Sequence, residues 1–225
     1  MSPHYETGNP WTDGYNMVVL GGTQTGKTSA MRELHHTSDR VSIWLNAAGK
    51  DRVEDIPGYT VQSVDDVQKA FAEDRYAIEL LSRDRQADLV ELREWLWAVA
   101  DRTDRRLPMQ LIVDEAQDVA PQSGKAFGNF PSRDDMRRLA KKGVKRNIKS
   151  IAITQDPTAL DKQALRQTEY RLVFRMAVEA RQSSAVSPMG FDWDAVDAGD
   201  RYTGALFDQT GEVLDDDVKA EARYA

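Results

Sequence analysis

Apolar residues in this chain fall into short unbroken runs that alternate with stretches of helical periodicity. Met17-Val18-Val19-Leu20 is apolar throughout and bounded by glycine, which predicts a buried strand. Val41-Ser42-Ile43-Trp44-Leu45-Asn46 alternates and then runs apolar, and Tyr59-Thr60-Val61 is a shorter candidate. Tyr76 to Leu81, Met109 to Val113, Ile151 to Thr154 and Leu172 to Met176 complete the series of strand-length runs. Between them lie the helical patterns. The residues after Thr28 read as a helix start, and Ser63 caps a segment in which Val64, Val67, Ala70 and Phe71 recur at helical spacing, with Asp66 placed to close the cap. From Arg85 to Ala100, Leu89, Leu92, Leu96 and Val99 draw one face with Trp95 beside it, so this helix packs on the sheet and its tryptophans read as core. Residues 159–168 are a further helix. Strands alternating with helices of this length predict an α/β fold with a mostly parallel central sheet and helices on both faces. Tyr202 to Phe207 and Glu212 to Leu214, joined by Asp208-Gln209-Thr210-Gly211, add a C-terminal β-hairpin.

Punctuation divides the rest. Residues 1–15 hold two prolines and two glycines and few aliphatics, which predicts an extended lead-in. Within it, Trp11 and Tyr15 could pack under the sheet or stack on a nucleotide base. Residues 47–58 read as a loop. Residues 119–135, with Pro121, Phe127, Phe130 and Pro131, read as a loop of unusual length, a feature that tends to be functional or disordered. Residues 215–225 are a charged tail, expected as a loose or docked helix. With no internal repeat or linker, residues 16–214 read as a single domain.

Composition narrows the chemistry. The 225 residues contain no cysteine and three histidines, which excludes disulfides and thiolate metal sites and makes a zinc site improbable. No stretch approaches the ~18 apolar residues of a membrane span, and no signal-peptide pattern opens the chain, so a soluble, cytoplasmic protein is expected. The formal net charge is −7, but Met136 to Ser150 carries seven positive charges and no acid, leaving −14 on the remainder. A segregated basic run in an acidic chain suggests a partner, with phosphate the obvious candidate.

The sharpest chemistry follows the first strand. Gly21-Gly22-Thr23-Gln24-Thr25-Gly26-Lys27-Thr28 is a G-x-x-x-x-G-K-T (Walker A) pattern set between a strand and a helix start, the context that gives it meaning. The glycines allow a tight turn whose N–H groups, with the helix N-terminus, hold phosphate oxygens. Lys27 would reach the β- and γ-phosphates of ATP, and the Thr28 hydroxyl would ligate Mg²⁺. The strand Met109 to Val113 closes in Asp114-Glu115, the Walker B position, where Asp114 would hold Mg²⁺ through its water shell and Glu115 would deprotonate the attacking water. Gln155 ends the strand after the basic run. It would either sense the γ-phosphate or cap the turn Asp156-Pro157-Thr158.

These residues together resemble a family. Val113-Asp114-Glu115-Ala116-Gln117-Asp118-Val119-Ala120-Pro121, then Arg138 to Lys145, Ile153-Thr154-Gln155-Asp156-Pro157, Leu160-Asp161-Lys162 and Arg171 to Arg175 are similar, in order, to the FtsK–HerA superfamily of P-loop DNA translocases. HerA-type members carry Val-Asp-Glu-Ala-His-Asn-Phe-Ala-Pro, Gly-Arg-Lys and Thr-Gln-Arg-Pro segments and a closing strand with arginine. The resemblance covers residues 16–180. It implies a RecA/FtsK-like P-loop NTPase fold and a homo-oligomeric, usually hexameric, ring that grips double-stranded DNA and moves it by hydrolysing ATP between subunits. In size and content the chain resembles the genome-packaging ATPases of membrane-containing tailless viruses, archaeal ones included, which implies a host-cytoplasmic or virion-associated protein docking on a capsid or membrane vertex. The resemblance also implies an arginine finger acting in trans. The chain has Gly143-Val144-Lys145 where the family has Gly-Arg-Lys, so Arg146, Arg138 or Arg137 are the candidates, while Arg175 matches the closing-strand arginine. Asp156 stands in place of the Thr-Gln-Arg-Pro arginine. Lys125 and Arg133 would join the basic residues in contacting DNA phosphates without reading sequence.

Two other readings share the motifs. A helicase-like or PhoH-like ATPase also carries Asp-Glu-Ala-Gln-Asp, but normally with a Gly-Asp-Pro-x-Gln strand end and a second motor domain. A nucleotide-switched assembly or secretion factor would use the same phosphate site without touching DNA.

Overall fold

The computed structural model describes residues 10–46, 59–122 and 130–219. The loop expected over 47–58, Lys125, Phe127 and the end of the charged tail lie outside them. In chain order the elements are β1 (Met17–Leu20), α1 (Lys27–Thr37), β2 (Val41–Asn46), β3 (Tyr59–Val61), α2 (Val64–Ala72), β4 (Ala77–Leu81), α3 (Arg85–Arg102) and β5 (Met109–Val113). There follow α4 (Pro131–Lys142), β6 (Ile148–Thr154), α5 (Lys162–Arg166), β7 (Tyr170–Phe174), α6 (Val178–Arg181), α7 (Trp193–Ala198), β8 (Thr203–Asp208) and β9 (Val213–Lys219). The strands form one sheet in the order β3-β4-β2-β5-β6-β1-β7-β8-β9. The first seven are parallel, and β8 and β9 extend the sheet antiparallel from β7.

The expected architecture is therefore present, with an uneven division of helices. One apolar cluster joins the sheet to α2, α3, α4, α5 and α7; Leu89, Leu92 and Leu96 of α3 are fully buried in it. Each such side chain stabilises the fold by about 1.5–3 kcal/mol relative to exposure. The other face is covered by α1, through Ala30, Met31 and Leu34, together with Trp11 and Tyr15 of the lead-in. Tyr15 meets Tyr170 edge-on at 6.2 Å, so both lead-in aromatics pack on the sheet. Helix starts follow the expected capping chemistry. Ser63 Oγ accepts from the Asp66 N–H (3.2 Å) and donates to its carboxylate (2.7 Å), and Asp84 accepts from the Ala87 N–H at the head of α3.

Departures from the sequence reading have physical causes. Strand β6 begins at Ile148 rather than Ile151, because two polar residues are satisfied inside the fold: Lys149 Nζ donates to the Pro10 carbonyl (2.5 Å), and Ser150 pairs with Asn16 (2.8 and 2.7 Å). Lys149 registers with Gln110 and Gln110 with Ser42, and Gln110 donates to the Ser42 hydroxyl at 2.8 Å, so a polar row crosses three buried strands. Strand β7 begins at Tyr170 for a similar reason, with the Tyr170 hydroxyl on Asp13 (2.7 Å) and Arg171 on the Asp208 carbonyl (3.0 Å). The long loop ends early, since Pro131, at a position where its missing N–H costs nothing, starts α4. The first part of the charged tail is strand rather than helix. Asp215, Asp216 and Asp217 are exposed along the edge strand β9 while Val218 turns inward, and charge on an edge discourages pairing with other chains. Residues 178–198 hold two short helices, α6 and α7, that the apolar pattern does not announce.

Candidate nucleotide-binding site

Three strand ends meet at one edge of the sheet: β1 leads into the glycine loop, β5 into Asp114-Glu115, and β6, lying between them, into Gln155. The loop's backbone explains its composition. Gly26, just before α1, has φ +96°, a left-handed conformation that any side chain would strain. At Gly21 the constraint is space, since a Cβ would lie 2.7 Å from the Phe174 Cβ and 2.9 Å from the Thr25 hydroxyl. The Gly22 N–H donates to the Arg175 carbonyl (2.8 Å) and Thr25 Oγ1 to the Gly22 carbonyl (2.9 Å), tying the loop to β7 and to itself. Thr23 and Gln24 are exposed at the mouth, and Thr28 lies in the first turn of α1.

Lys27 is buried within this loop, its ammonium donating to the carbonyls of Gly21 (2.9 Å) and Gly22 (2.5 Å). Burial lowers its pKa, opposed by the negative charges of Glu115 and Asp114, which lie within electrostatic range. The lysine and the two carboxylates lie at the same edge of the sheet. Asp114 is 8% exposed; its N–H donates to the Leu45 carbonyl and its Oδ1 accepts from the Glu115 N–H (3.0 Å). Desolvation and then the neighbouring Glu115 carboxylate push Asp114 up to about 6. Two crowded acids with one buried lysine make a site that a cation would relieve. No group of three or more His, Cys, Asp or Glu side chains suited to a metal occurs among the described residues. One hydroxyl, Thr28, and one carboxylate, Asp114, are oxygen donors of the kind that would hold Mg²⁺ alongside waters and phosphate oxygens.

Glu115 has φ +41° and ψ +54°, unusual for a residue with a side chain and a sign of stored strain at a functional position. Its Oε2 accepts from Gln117 Nε2 (2.6 Å), whose Oε1 accepts from the Thr154 hydroxyl (2.6 Å). Gln155 Oε1 accepts from Thr23 Oγ1 of the glycine loop (2.8 Å). The turn after β6 is capped by Asp156, which accepts from Thr158 and Ala159, while Gln155 reaches the glycine loop.

Arg85 was not expected here. From the first turn of α3 its guanidinium donates to the backbone carbonyls of Asp114 and Glu115 (3.2 Å for the latter) and to the Asp118 carboxylate (3.1 Å). Nothing in the sequence pairs it with a turn so far along the chain.

The arginines considered for a trans role are differently engaged. Arg137 grips Asp161 with two hydrogen bonds (2.9 and 2.6 Å) and also reaches Asp134 (3.2 Å). Arg146 stacks 4.3 Å over the Trp97 ring and lies 3.7 Å from Asp101, in the turn that enters β6 and hence at the sheet edge opposite the glycine loop. Arg175 donates to the carbonyls of Asp197 (2.9 Å) and Gly199 (2.5 Å). Arg138 pairs with Asp135 (3.1 Å) but remains 55% exposed. The basic run is thus no single surface: Lys149 is buried and Arg137 and Arg146 are internally matched, leaving Arg138, Lys141, Lys142 and Lys145 exposed.

The chain matches no protein-family model, and no curated protein sequence matches it. Solved structures do. The DNA-packaging ATPase B204 of Sulfolobus turreted icosahedral virus superposes with a TM-score of 0.60 at 15% identity, covering 90% of this chain and 96% of that one. The genome-packaging NTPase B204 of Sulfolobus turreted icosahedral virus 2, bound to AMPPCP, gives 0.59 at 14% identity, with 89% and 95% covered. VirB4 of Thermoanaerobacter pseudethanolicus gives 0.57 at 11% identity, with 89% and 88% covered. The chain accordingly has the P-loop NTPase fold of these solved structures.

Proposed function

We propose that this chain is a Mg²⁺-dependent ATPase that works as a homo-oligomeric ring, hexameric on the family pattern, to move double-stranded DNA into a viral capsid. One observation carries the reading: Lys27, Thr28, Asp114, Glu115 and Gln155 gather at a single sheet edge around a loop whose lysine is held by carbonyls that phosphate oxygens can replace. In this arrangement the loop N–H groups and the head of α1 bind the β-phosphate, and Lys27 turns from the Gly21 and Gly22 carbonyls to the β- and γ-phosphates. Glu115, held through Gln117, orients the attacking water and takes its proton, and Gln155 links the γ-phosphate to the loop through Thr23. Mg²⁺ at Thr28 and Asp114 would neutralise charge developing on the phosphate oxygens.

The packaging half of the reading is supported by likeness to the B204 enzymes and by the exposed cations of α4 and the turn after it. Arg138, Lys141, Lys142 and Lys145, with Arg133, suit a surface that contacts DNA phosphates without sequence preference. No helix among the described residues is long and apolar enough to cross a membrane, which suits a protein of the host cytoplasm or virion that docks on a vertex. The test is the ATP hydrolysis rate with and without duplex DNA, measured alongside solution mass in the presence of ATP. Stimulation by DNA in an ATP-bound oligomer is expected. A monomer whose turnover ignores DNA would overturn the translocase reading.

A further inference from the structure

The phosphate site says where a triphosphate ends but leaves open what holds the other end of the nucleotide. Because the carboxylates of Asp114 and Glu115 stand beyond β6, on β5, the γ-phosphate points that way along the sheet edge. The nucleoside therefore leaves the loop on the other side, toward β7 and β8. Strand β8 runs antiparallel to β7, with Gly204 opposite Phe174, so the turn that enters β8 stands at the same edge as the glycine loop.

That turn is built and held. Arg175 joins it to the loop with both halves of the residue: its carbonyl accepts from the Gly22 N–H, while its guanidinium donates to the carbonyls of Asp197 and Gly199. Asp200 Oδ1 accepts from the Tyr202 N–H (2.8 Å) and the Thr203 hydroxyl (2.9 Å), locking the residues that follow. Two side chains then project from it. Arg201 Nη2 donates to Gln24 Oε1 of the glycine loop (3.2 Å), a partner that is an amide and not a carboxylate. The Tyr202 ring, with the Arg201 guanidinium 5.8 Å from its centre, is 51% exposed, a large aromatic left in water on a rigid turn.

We propose that Arg201 and Tyr202 form the nucleoside end of the site, Tyr202 stacking on the nucleobase and Arg201 bracing the Tyr202 ring against the glycine loop at Gln24. This rests on the reading of Gly21–Thr28 as a triphosphate cradle. Stacking on an aromatic ring tolerates any base, so the site recognises a nucleoside triphosphate as a class. The bond from Arg201 to Gln24 couples occupancy of the base site to the conformation of the loop.

Calorimetric titration of the full chain with ATP and with inorganic tripolyphosphate, which has no base to stack, separates the two ends. Tyr202→Ala is expected to weaken ATP binding roughly tenfold or more and to leave tripolyphosphate binding unchanged, while Tyr202→Phe keeps parent affinity for both. Tyr202→Ala that binds ATP as the parent does, or that loses both ligands equally, overturns the proposal while the phosphate cradle stands. A parent chain that binds neither ligand overturns the cradle and this proposal with it.

Discussion

Arg85→Ala tests whether the acidic turn is held in a working shape or merely happens to lie near the loop. The Arg85 side chain is 12% exposed and donates to the carbonyls of Asp114 and Glu115 and to the Asp118 carboxylate. Its loss leaves the part-buried Asp114 carbonyl without its donor, at about 1–3 kcal/mol, while the Glu115 carbonyl keeps the Asp118 N–H (3.0 Å). Asp118 is 62% exposed, so that ion pair adds little. A destabilisation of about 1–3 kcal/mol follows, readable as a lower midpoint in urea unfolding. The chemical consequence is larger. Glu115 sits at φ +41°, a conformation that costs a non-glycine residue about 1–3 kcal/mol and persists only where neighbours impose it. With Arg85 removed the turn relaxes, and a carboxylate displaced by about an ångström loses about 10²-fold in rate. Single-turnover ATP hydrolysis should fall by that factor, with nucleotide affinity nearly intact because Lys27 and the glycine loop are untouched. Arg85→Lys, which returns one donor group and the charge, should recover part of the loss. Arg85→Ala hydrolysing at the parent rate while folded would refute the positioning argument.

Other outcomes follow from the same geometry. Glu115→Gln should bind ATP normally and hydrolyse it about 10²–10⁴-fold more slowly in a single-turnover assay, and parent turnover would remove Glu115 as the base. Lys27→Ala should lose calorimetric ATP binding, since the phosphate charge then has no cation within the loop. Arg138→Ala subunits mixed with parent subunits should suppress ATPase activity beyond their proportion, whereas Arg137→Ala should lower stability by about 3 kcal/mol in urea by stranding the buried Asp161 carboxylate. His35, buried against the Ser42 hydroxyl (2.6 Å) beside His36 and Trp44, is held by desolvation at about 3, below its ordinary 6.5. The unfolded chain therefore takes up that proton first, so the contribution of His35 is complete above pH ~6.5 and is lost as pH falls toward ~3. The loss is about 3 kcal/mol by pH ~4.5, and His35→Gln should flatten that acid limb of stability against pH.

How much could be read from the chain depended on whether the information was local. The strand before the glycine loop and the cap at Ser63 are written in neighbouring residues, and the structure has them where the pattern puts them. Asp114-Glu115 became legible because it closes an apolar strand in a chain that also carries the loop. The start of strand β6 is hidden because Lys149 and Ser150 look like surface residues, and their partners, Pro10 and Asn16, are more than a hundred positions away. Separation along the chain also hides Arg85, 29 to 33 positions from its partners, and the turn at Arg201, 177 from Gln24, which meet the site only after the sheet brings α3 and β8 to its edge. Val213 and Leu214 read as strand, but the acidic part of β9 from Asp215 reads as a helix because edge strands tolerate charge on both faces and so lose the alternation that marks a strand.

The basic run shows why charge arithmetic along a sequence is a weak guide to a surface. Three of its seven cations are consumed inside the fold, Lys149 under the sheet, Arg137 on Asp161 and Arg146 on Trp97, and these contacts hold α4 and β6 in place. That consumption bears on catalysis. Arg175 is likewise committed, its guanidinium bound to the turn that enters β8. Withdrawing any of these to meet a phosphate would break buried contacts, an energetic barrier that Arg138, already solvated, does not face. On the ring reading, transition-state charge must therefore be met by an exposed arginine of a neighbouring copy, and hydrolysis waits on assembly because the chain's own matched arginines are already holding it together.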